Sequence, residues 1–286
     1  MERVSFRAMG TDVELLLDTP KSAESFLALA TAQAEIERLE AVLSRFSPDS
    51  ELSALNRSGS LHAGPDLVHV TRLALEARQR TAGRFDPTVH DALVAAGYDR
   101  TFDELPAERE ALAPAARCGG HVSVDHSSGL IELEPGVRLD FGGIGKGFAA
   151  DRACDLLARV GPCLVSAGGD LTGCGRPWPV GVETPAGMLT LELQNGALAT
   201  SGRDRRRWRA GNDEAHHLID PDTGLPADSD LLTVTVMAAT AVEAEVLATS
   251  LFLAGAERAA AEADELGTPC VLVLDGGRTE LRGGLR

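Results

Sequence analysis

Apolar and polar positions alternate from Val4 to Leu17, with a break at Met9-Gly10-Thr11. The chain therefore opens as strand, turn, strand. Between Ser22 and Leu43 the apolar positions fall at Leu29, Ala32, Ile36, Leu39 and Leu43, the spacing of a helix with one buried face. Pro48 and Asp49 then mark a turn, Ser50 is placed to cap a short helix, and Asn56 lies near that helix's end. A second amphipathic helix is expected from about Pro65 to Ala82, stopping at Gly83. "HVSVDHSSGLIELEPGVRLDF" reads as consecutive strands joined by Ser-Gly and Pro-Gly turns. A glycine-rich loop follows, then a helix from about Phe148 to Val160 with Ala149, Ala153, Leu156 and Val160 on one face. "PCLVSAGGDL" is a strand ending in two glycines, and Asn195-Gly196 marks "MLTLELQNGALATSG" as a hairpin. The chain closes with a buried strand, "LLTVTVMAA", a helix from about Thr240 to Ala263 and a last strand, "PCVLVLDGG".

Hairpins and helices mix without regular strand–helix alternation. That pattern implies an α+β fold with largely antiparallel sheets and packed helices. At 286 residues the chain is one large domain or two small ones, with no internal repeat and no clear linker. No apolar run reaches the length of a membrane span. The first residues lack the basic start and apolar stretch of an export signal, so the expected compartment is the cytoplasm. The net charge of −16 argues against nonspecific nucleic-acid binding. Five cysteines, scattered and never spaced as Cys-x-x-Cys, argue for buried free thiols over a disulfide framework or a thiolate zinc site. Of the 27 basic residues only Lys21 and Lys146 are lysine, and Lys146 lies inside the glycine-rich loop.

That loop, "LDFGGIGKGFAAD", runs from Leu139 to Asp151. Strand, glycines and helix together form a layout in which backbone N–H groups can meet an anion. It is not a P-loop, because Gly147 follows Lys146 where a hydroxyl is required, and Phe148 replaces the third glycine of the dinucleotide fingerprint. Two readings remain: a diphosphate loop with Lys146 neutralising charge, or a tight turn that lets backbones pack closely. In "HHLIDPDTGLP", strand alternation would send only one of His216 and His217 inward, and a neutral imidazole can take a proton near pH 7. No serine or cysteine nucleophile motif stands out, which points to a hydroxyl on the substrate. Glu245 and Thr249 are four apart on one helix face. They are either an oxygen pair for a hard cation or an exposed glutamate and a packed threonine. Asp86-Pro87 in "GRFDPTV" reads as a turn.

In this order, "MGTDVEL", "SRFSPDSELSALN", "GRFDPTV", "LDFGGIGKGFAAD", "SAGGDL", "ALATSG", "HHLIDPDTGLP" and "TVTVMAATAVEAEVLATSLFLAG" resemble the ApbE family, the FAD:protein FMN transferases, from Met9 to Gly255. The resemblance implies a tandem T-fold-like architecture, one transferase domain over 1–286, and binding of FAD and Mg²⁺. It implies transfer of the FMN half of FAD to a Thr or Ser of an acceptor protein as a phosphoester, with release of AMP. The alternatives are hydrolysis of FAD to FMN and AMP, or FAD binding without catalysis. By the same resemblance His217 is the base. Gly143, through its carbonyl, Glu245 and Thr249 are the metal ligands. Met9, Phe46, Asn56, Arg84, Phe85, Asp86, Asp140, Lys146 and Ile219 contact FAD. Three features depart from the family pattern. Phe46 stands where a stacking Tyr is common, Glu245 replaces the usual Asp with one more methylene of reach, and "GRDRRRW" replaces an acidic-aromatic segment. Many members are exported lipoproteins, a feature not expected here.

Overall fold

The computed structural model describes residues 1–106, 108–109, 115–211 and 213–285. They form two compact units. The first comprises Met1–Glu40, Ile144–Ser201 and Ser229–Arg286, and the second Ala41–Gly143 and Gly202–Asp228. Among the described residues no helix is long and apolar enough to cross a membrane.

An eight-stranded sheet forms the centre of the first unit. Its order is Glu2–Ala8, Thr11–Leu17, Cys163–Ala167, Asp170–Cys174, Gly196–Gly202, Leu231–Ala238, Cys270–Leu274 and Thr279–Arg282. The opening hairpin turns at Met9 and Gly10, with φ of 56° and 67°, the paired positive φ of a tight two-residue turn. Met9 is thus held in the left-handed region that a side chain ordinarily avoids. One sheet face carries Leu164, Leu198, Val271 and Val273. They pack against Trp178, Val180, Val182, Leu191 and Leu193 of a two-stranded ribbon, Trp178–Thr184 with Gly187–Leu193. Helices Gly145–Leu157 and Ala241–Ala254 are packed together. A Cβ on Gly147 would lie 2.7 Å from the Ala241 carbonyl, so glycine there permits close helix approach. The packing reading of that glycine is correct whatever else the loop does.

Several expected elements differ. The Gly145–Leu157 helix starts three residues before Phe148 and buries Ala149, Ala153 and Leu157 rather than Leu156 and Val160. Asn195-Gly196 joins two strands of different sheets and makes no hairpin, since Gly187–Leu193 pairs with Trp178–Thr184 and Gly196–Gly202 joins the central sheet. Asn195 lacks the positive φ that a type I′ turn needs, and its Oδ1 accepts from the Gly175 N–H at 3.0 Å. The Thr240–Ala263 helix is two helices, Ala241–Ala254 and Ala256–Leu266, broken at Gly255 with φ of 76°. A last strand, Thr279–Arg282, was not expected.

The second unit holds the helices Glu51–Ser58, Pro65–Arg80 and His90–Ala95 and a three-stranded sheet, Ser60–His62, Leu130–Leu133 and Val122–Asp125. A second three-stranded sheet, Asp213–His216, Arg207–Ala210 and Glu108–Arg109, and a small pair, Ile219–Asp220 with Leu225–Pro226, complete its main features. Ser50 caps Glu51–Ser58 as expected, accepting from the Ser53 N–H. No strand follows the Pro135-Gly136 turn, although the sequence implies one. Instead the Asn56 amide takes the strand partner's place, with Nδ2 donating to the Leu139 carbonyl at 2.8 Å and Oδ1 accepting from the Leu139 N–H at 2.7 Å. Asn56→Ala strands both backbone groups. We expect it to lower unfolding stability by about 2–3 kcal/mol in urea denaturation; an unchanged midpoint would remove Asn56 from this role.

Candidate functional site

Lys146 lies in the first turn of Gly145–Leu157, whose N-cap residue Ile144 makes no side-chain capping bond. Its ammonium pairs with the Glu245 carboxylate and lies 3.0 Å from Asp170 Oδ2. Glu245 comes from the Ala241–Ala254 helix and Asp170 from the strand after the Gly168-Gly169 turn. All three side chains are largely buried. The second Glu245 oxygen accepts from the Gly147 N–H at 3.0 Å. The start of Ala241–Ala254 is fixed from the neighbouring helix, because Asp151 accepts from the Ala241 and Val242 N–H groups at 2.8 and 3.1 Å. One turn past Glu245, the Thr249 hydroxyl meets Ser201 Oγ at 3.0 Å. The sequence paired Glu245 with Thr249 but gave Asp170 no role. Its signal was the aspartate closing "SAGGDL".

Two buried carboxylates share one ammonium, so ionising both at once is unfavourable. Burial, then the neighbouring Asp170, push the Glu245 carboxyl up to about 8. Asp170 Oδ2 is buried and makes no directed hydrogen bond among the described residues; charge alone ties it to Lys146. Two carboxyl groups and a hydroxyl are hard oxygen donors. Such a set fits a divalent cation of the Mg²⁺ kind.

The second unit places Asp140 and Gly143 in the approach to the loop. The Asp140 N–H donates to the Pro87 carbonyl at 2.8 Å, its Oδ1 accepts from the Gly142 N–H at 2.7 Å, and its Oδ2 pairs with Arg45 at 2.5 Å. Gly143 is this unit's last residue before Ile144. Asp86 is buried and fully engaged. Its Oδ1 accepts from the Thr88 N–H and hydroxyl at 2.8 and 2.7 Å, and Arg78 lies 3.2 Å from Oδ2. The Asp-Pro-Thr turn therefore holds Pro87 where it fixes Asp140. Phe85 is buried beside it, its N–H on Thr81 Oγ1 at 3.0 Å, and Arg84 is half-buried.

Arg45 stacks over Phe46 at 4.1 Å and over Tyr98 at 4.8 Å, and Tyr98 lies 5.6 Å from Trp208. Phe46 packs against the cluster that includes Ile219, Tyr98 and Trp208. Tyr98 and Trp208 were missed in the sequence, although Tyr98 is the chain's one tyrosine. A cavity of about 980 Å³ within this unit is lined by Arg45, Phe46, Asn56, His90 and Arg138, among others. That is room for a substantial ligand.

One histidine is buried and the other half-buried, but alternation is not the cause: the strand ends at His216 and Ala215 beside it is buried too. His216 ends the Asp213–His216 strand and is buried, with Nε2 3.0 Å from the Ala227 carbonyl and Nδ1 accepting from the Leu218 N–H at 3.3 Å. These partners fix a neutral ring, and burial lowers its pKa. Its contribution to stability is therefore complete above the unfolded value of about 6.5 and is lost as pH falls through the lower folded value. We expect the melting temperature to drop more steeply below about pH 6.5 in the native chain than in His216→Gln; parallel curves would contradict this. His217 is half-buried, with Nδ1 3.4 Å from the Arg206 carbonyl. A proton held on Nδ1 there makes Nε2 the basic nitrogen. His216, held by Ala227 and Leu218, positions the segment that carries His217.

Residues 9–272 match the family model of the ApbE family. The chain is 29% identical over 292 residues to a FAD:protein FMN transferase of Klebsiella pneumoniae (strain 342), covering 95% of this chain and 83% of that protein. It is 31% identical over 272 residues to a FAD:protein FMN transferase of Treponema pallidum (strain Nichols), covering 84% and 75%. Its fold matches the ApbE protein of Thermotoga maritima with a TM-score of 0.88 at 26% identity, over 98% of this chain and 96% of that one.

Proposed function

Since this chain belongs to the ApbE family, we propose that it transfers the FMN half of FAD to a Thr or Ser hydroxyl of an acceptor protein. His217 Nε2 takes the acceptor's hydroxyl proton as the oxygen attacks the FMN-side phosphorus. An O–P bond forms, the bridging P–O bond breaks, and AMP leaves with that electron pair. Lys146, in the first turn of its helix, neutralises phosphate charge. Glu245 and Thr249, assisted by Asp170, would hold Mg²⁺. That ion supplies electrostatic relief for the leaving phosphate. Phe46 offers a flat apolar face to an isoalloxazine or adenine ring. Asn56, Asp86 and Asp140 set the loop's course, so their influence on FAD comes through the backbone they hold.

The observation carrying this reading is the buried cluster of Lys146, Asp170 and Glu245, with Thr249 one helical turn past Glu245. Its lysine and oxygen donors support a site for phosphate and a hard cation. The test is an incubation of the protein with FAD, Mg²⁺ and an acceptor of the family's substrate type, followed by denaturing gel fluorescence. Covalent flavin on the acceptor is the expected result. Free FMN with unlabelled acceptor would make the protein a hydrolase, and unchanged FAD would make it a binder.

A further inference from the structure

Three of the five cysteines, spread along the sequence, converge in the first unit. Cys154 is on the inner face of Gly145–Leu157, Cys163 begins the Cys163–Ala167 strand, and Cys174 ends the next one. The antiparallel register sets Cys163 directly opposite Cys174. The Cys163 sulfur lies 3.6 Å from the sulfur of Cys154 and 3.6 Å from that of Cys174. All three sulfurs fall within 4.8 Å of one another. No Cys-x-x-Cys spacing announces this, because a helix and a strand pairing bring the thiols together.

We propose that Cys154, Cys163 and Cys174 form a binding site for a thiophilic divalent cation of the Zn²⁺ class. The site is chemically distinct from the oxygen cluster at Glu245 and Thr249. A Zn–S bond is about 2.3 Å, which puts the sulfurs of a tetrahedral site about 3.8 Å apart. Two of the three separations, at 3.6 Å, need only a few tenths of an ångström of adjustment, and the third lies within 4.8 Å. Sulfur selects soft or borderline ions and gives Mg²⁺ no advantage. Cys154 and Cys163 are buried, while Cys174 is partly exposed. Its side gives an entry path and a fourth position that water can fill. On binding, the three S–H groups lose their protons to solvent, three M–S bonds form, and no electron changes hands. Affinity therefore rises with pH. The alternative is that these are packed core thiols, the common fate of buried cysteine. What favours a site over packing alone is three thiols from three elements converging within 4.8 Å of one another, with one of them partly exposed.

The site does not depend on the FMN-transfer reading. The experiment uses the full chain, reduced and freed of metal with a chelator, titrated with Cd²⁺ as a spectroscopic stand-in. We expect a thiolate-to-metal charge-transfer absorption that saturates at one equivalent, yields to Zn²⁺ and persists in excess Mg²⁺. Cys174→Ser, at the partly exposed position, should abolish it, and Cys154→Ala serves if that variant fails to fold. Cys118→Ser and Cys270→Ser, outside the cluster, should keep it. The proposal is overturned by absence of the band in the reduced native chain. It is also overturned by loss of the band in Cys118→Ser with retention in Cys174→Ser. A Cys163–Cys174 disulfide forming in place of metal uptake, seen by peptide mass spectrometry, would overturn it too.

Discussion

His217→Ala is expected to slow FMN transfer by about 10²–10⁴-fold, the usual contribution of a positioned base, while FAD binding stays near the native level. The ring is half-buried, directed by the Arg206 carbonyl at Nδ1. Truncation removes a proton acceptor and little packing. Steady-state transfer rates, read with FAD affinity by flavin fluorescence quenching, separate the two quantities. His216→Ala makes the contrast. That ring is buried between Ala227 and Leu218, so its loss should lower the melting temperature along with activity. Full transfer by His217→Ala would remove it as the base.

The second large effect concerns Lys146. Lys146→Met leaves Glu245 and Asp170 buried together without the ammonium that both face. Removing one partner from a buried charge cluster costs about 3–5 kcal/mol, and here the loss depends on pH. The Glu245 carboxyl is already raised, to about 8, by burial and by Asp170. Without Lys146 it stays buried only by keeping its proton. A carboxyl with a raised folded pKa stabilises the fold at low pH and loses that contribution as pH rises through the folded value. The variant should therefore be close to native stability at acid pH and fall behind on the alkaline side. Each pH unit in that window is worth about 1.4 kcal/mol. Mg²⁺ should recover part of the loss, because a cation can occupy the oxygens that the ammonium leaves. Urea unfolding at two pH values, with chelator and with Mg²⁺, measures all of this. Equal stability of variant and native chain at alkaline pH in chelator would contradict it.

Much of this was legible in the sequence. Alternation around Met9-Gly10 gave the opening hairpin, and the Leu29 to Leu43 spacing gave the Ala23–Leu43 helix. The Glu245–Thr249 spacing gave a shared helix face; one histidine of His216-His217 is buried and the other half-buried, though the strand stops before alternation can act on His217. What escaped was non-local. Asn195-Gly196 carries a strong local hairpin signal, but Gly187–Leu193 prefers the Trp178–Thr184 strand, whose Pro179 and Gly181 disguise it. The missing strand after Gly136 is explained only by Asn56, which lies far away in the chain. Asp170 gained its meaning from Lys146 and Glu245, on two other elements, and the sulfur cluster from a strand register. The "GRDRRRW" departure places Trp208 in the core against Tyr98 while Arg207 faces Glu214 at 3.1 Å.

The central claim is that one FAD is split between an acceptor hydroxyl and AMP. The most direct measurement counts both products. Acceptor incubated with FAD and this protein is analysed by intact-mass and peptide mass spectrometry, and AMP is quantified in parallel, with Mg²⁺ or with chelator. The expected result is one AMP for each FMN phosphoester on a single Thr or Ser, with both products falling together in chelator. AMP released with equimolar free FMN and no acceptor adduct would contradict it.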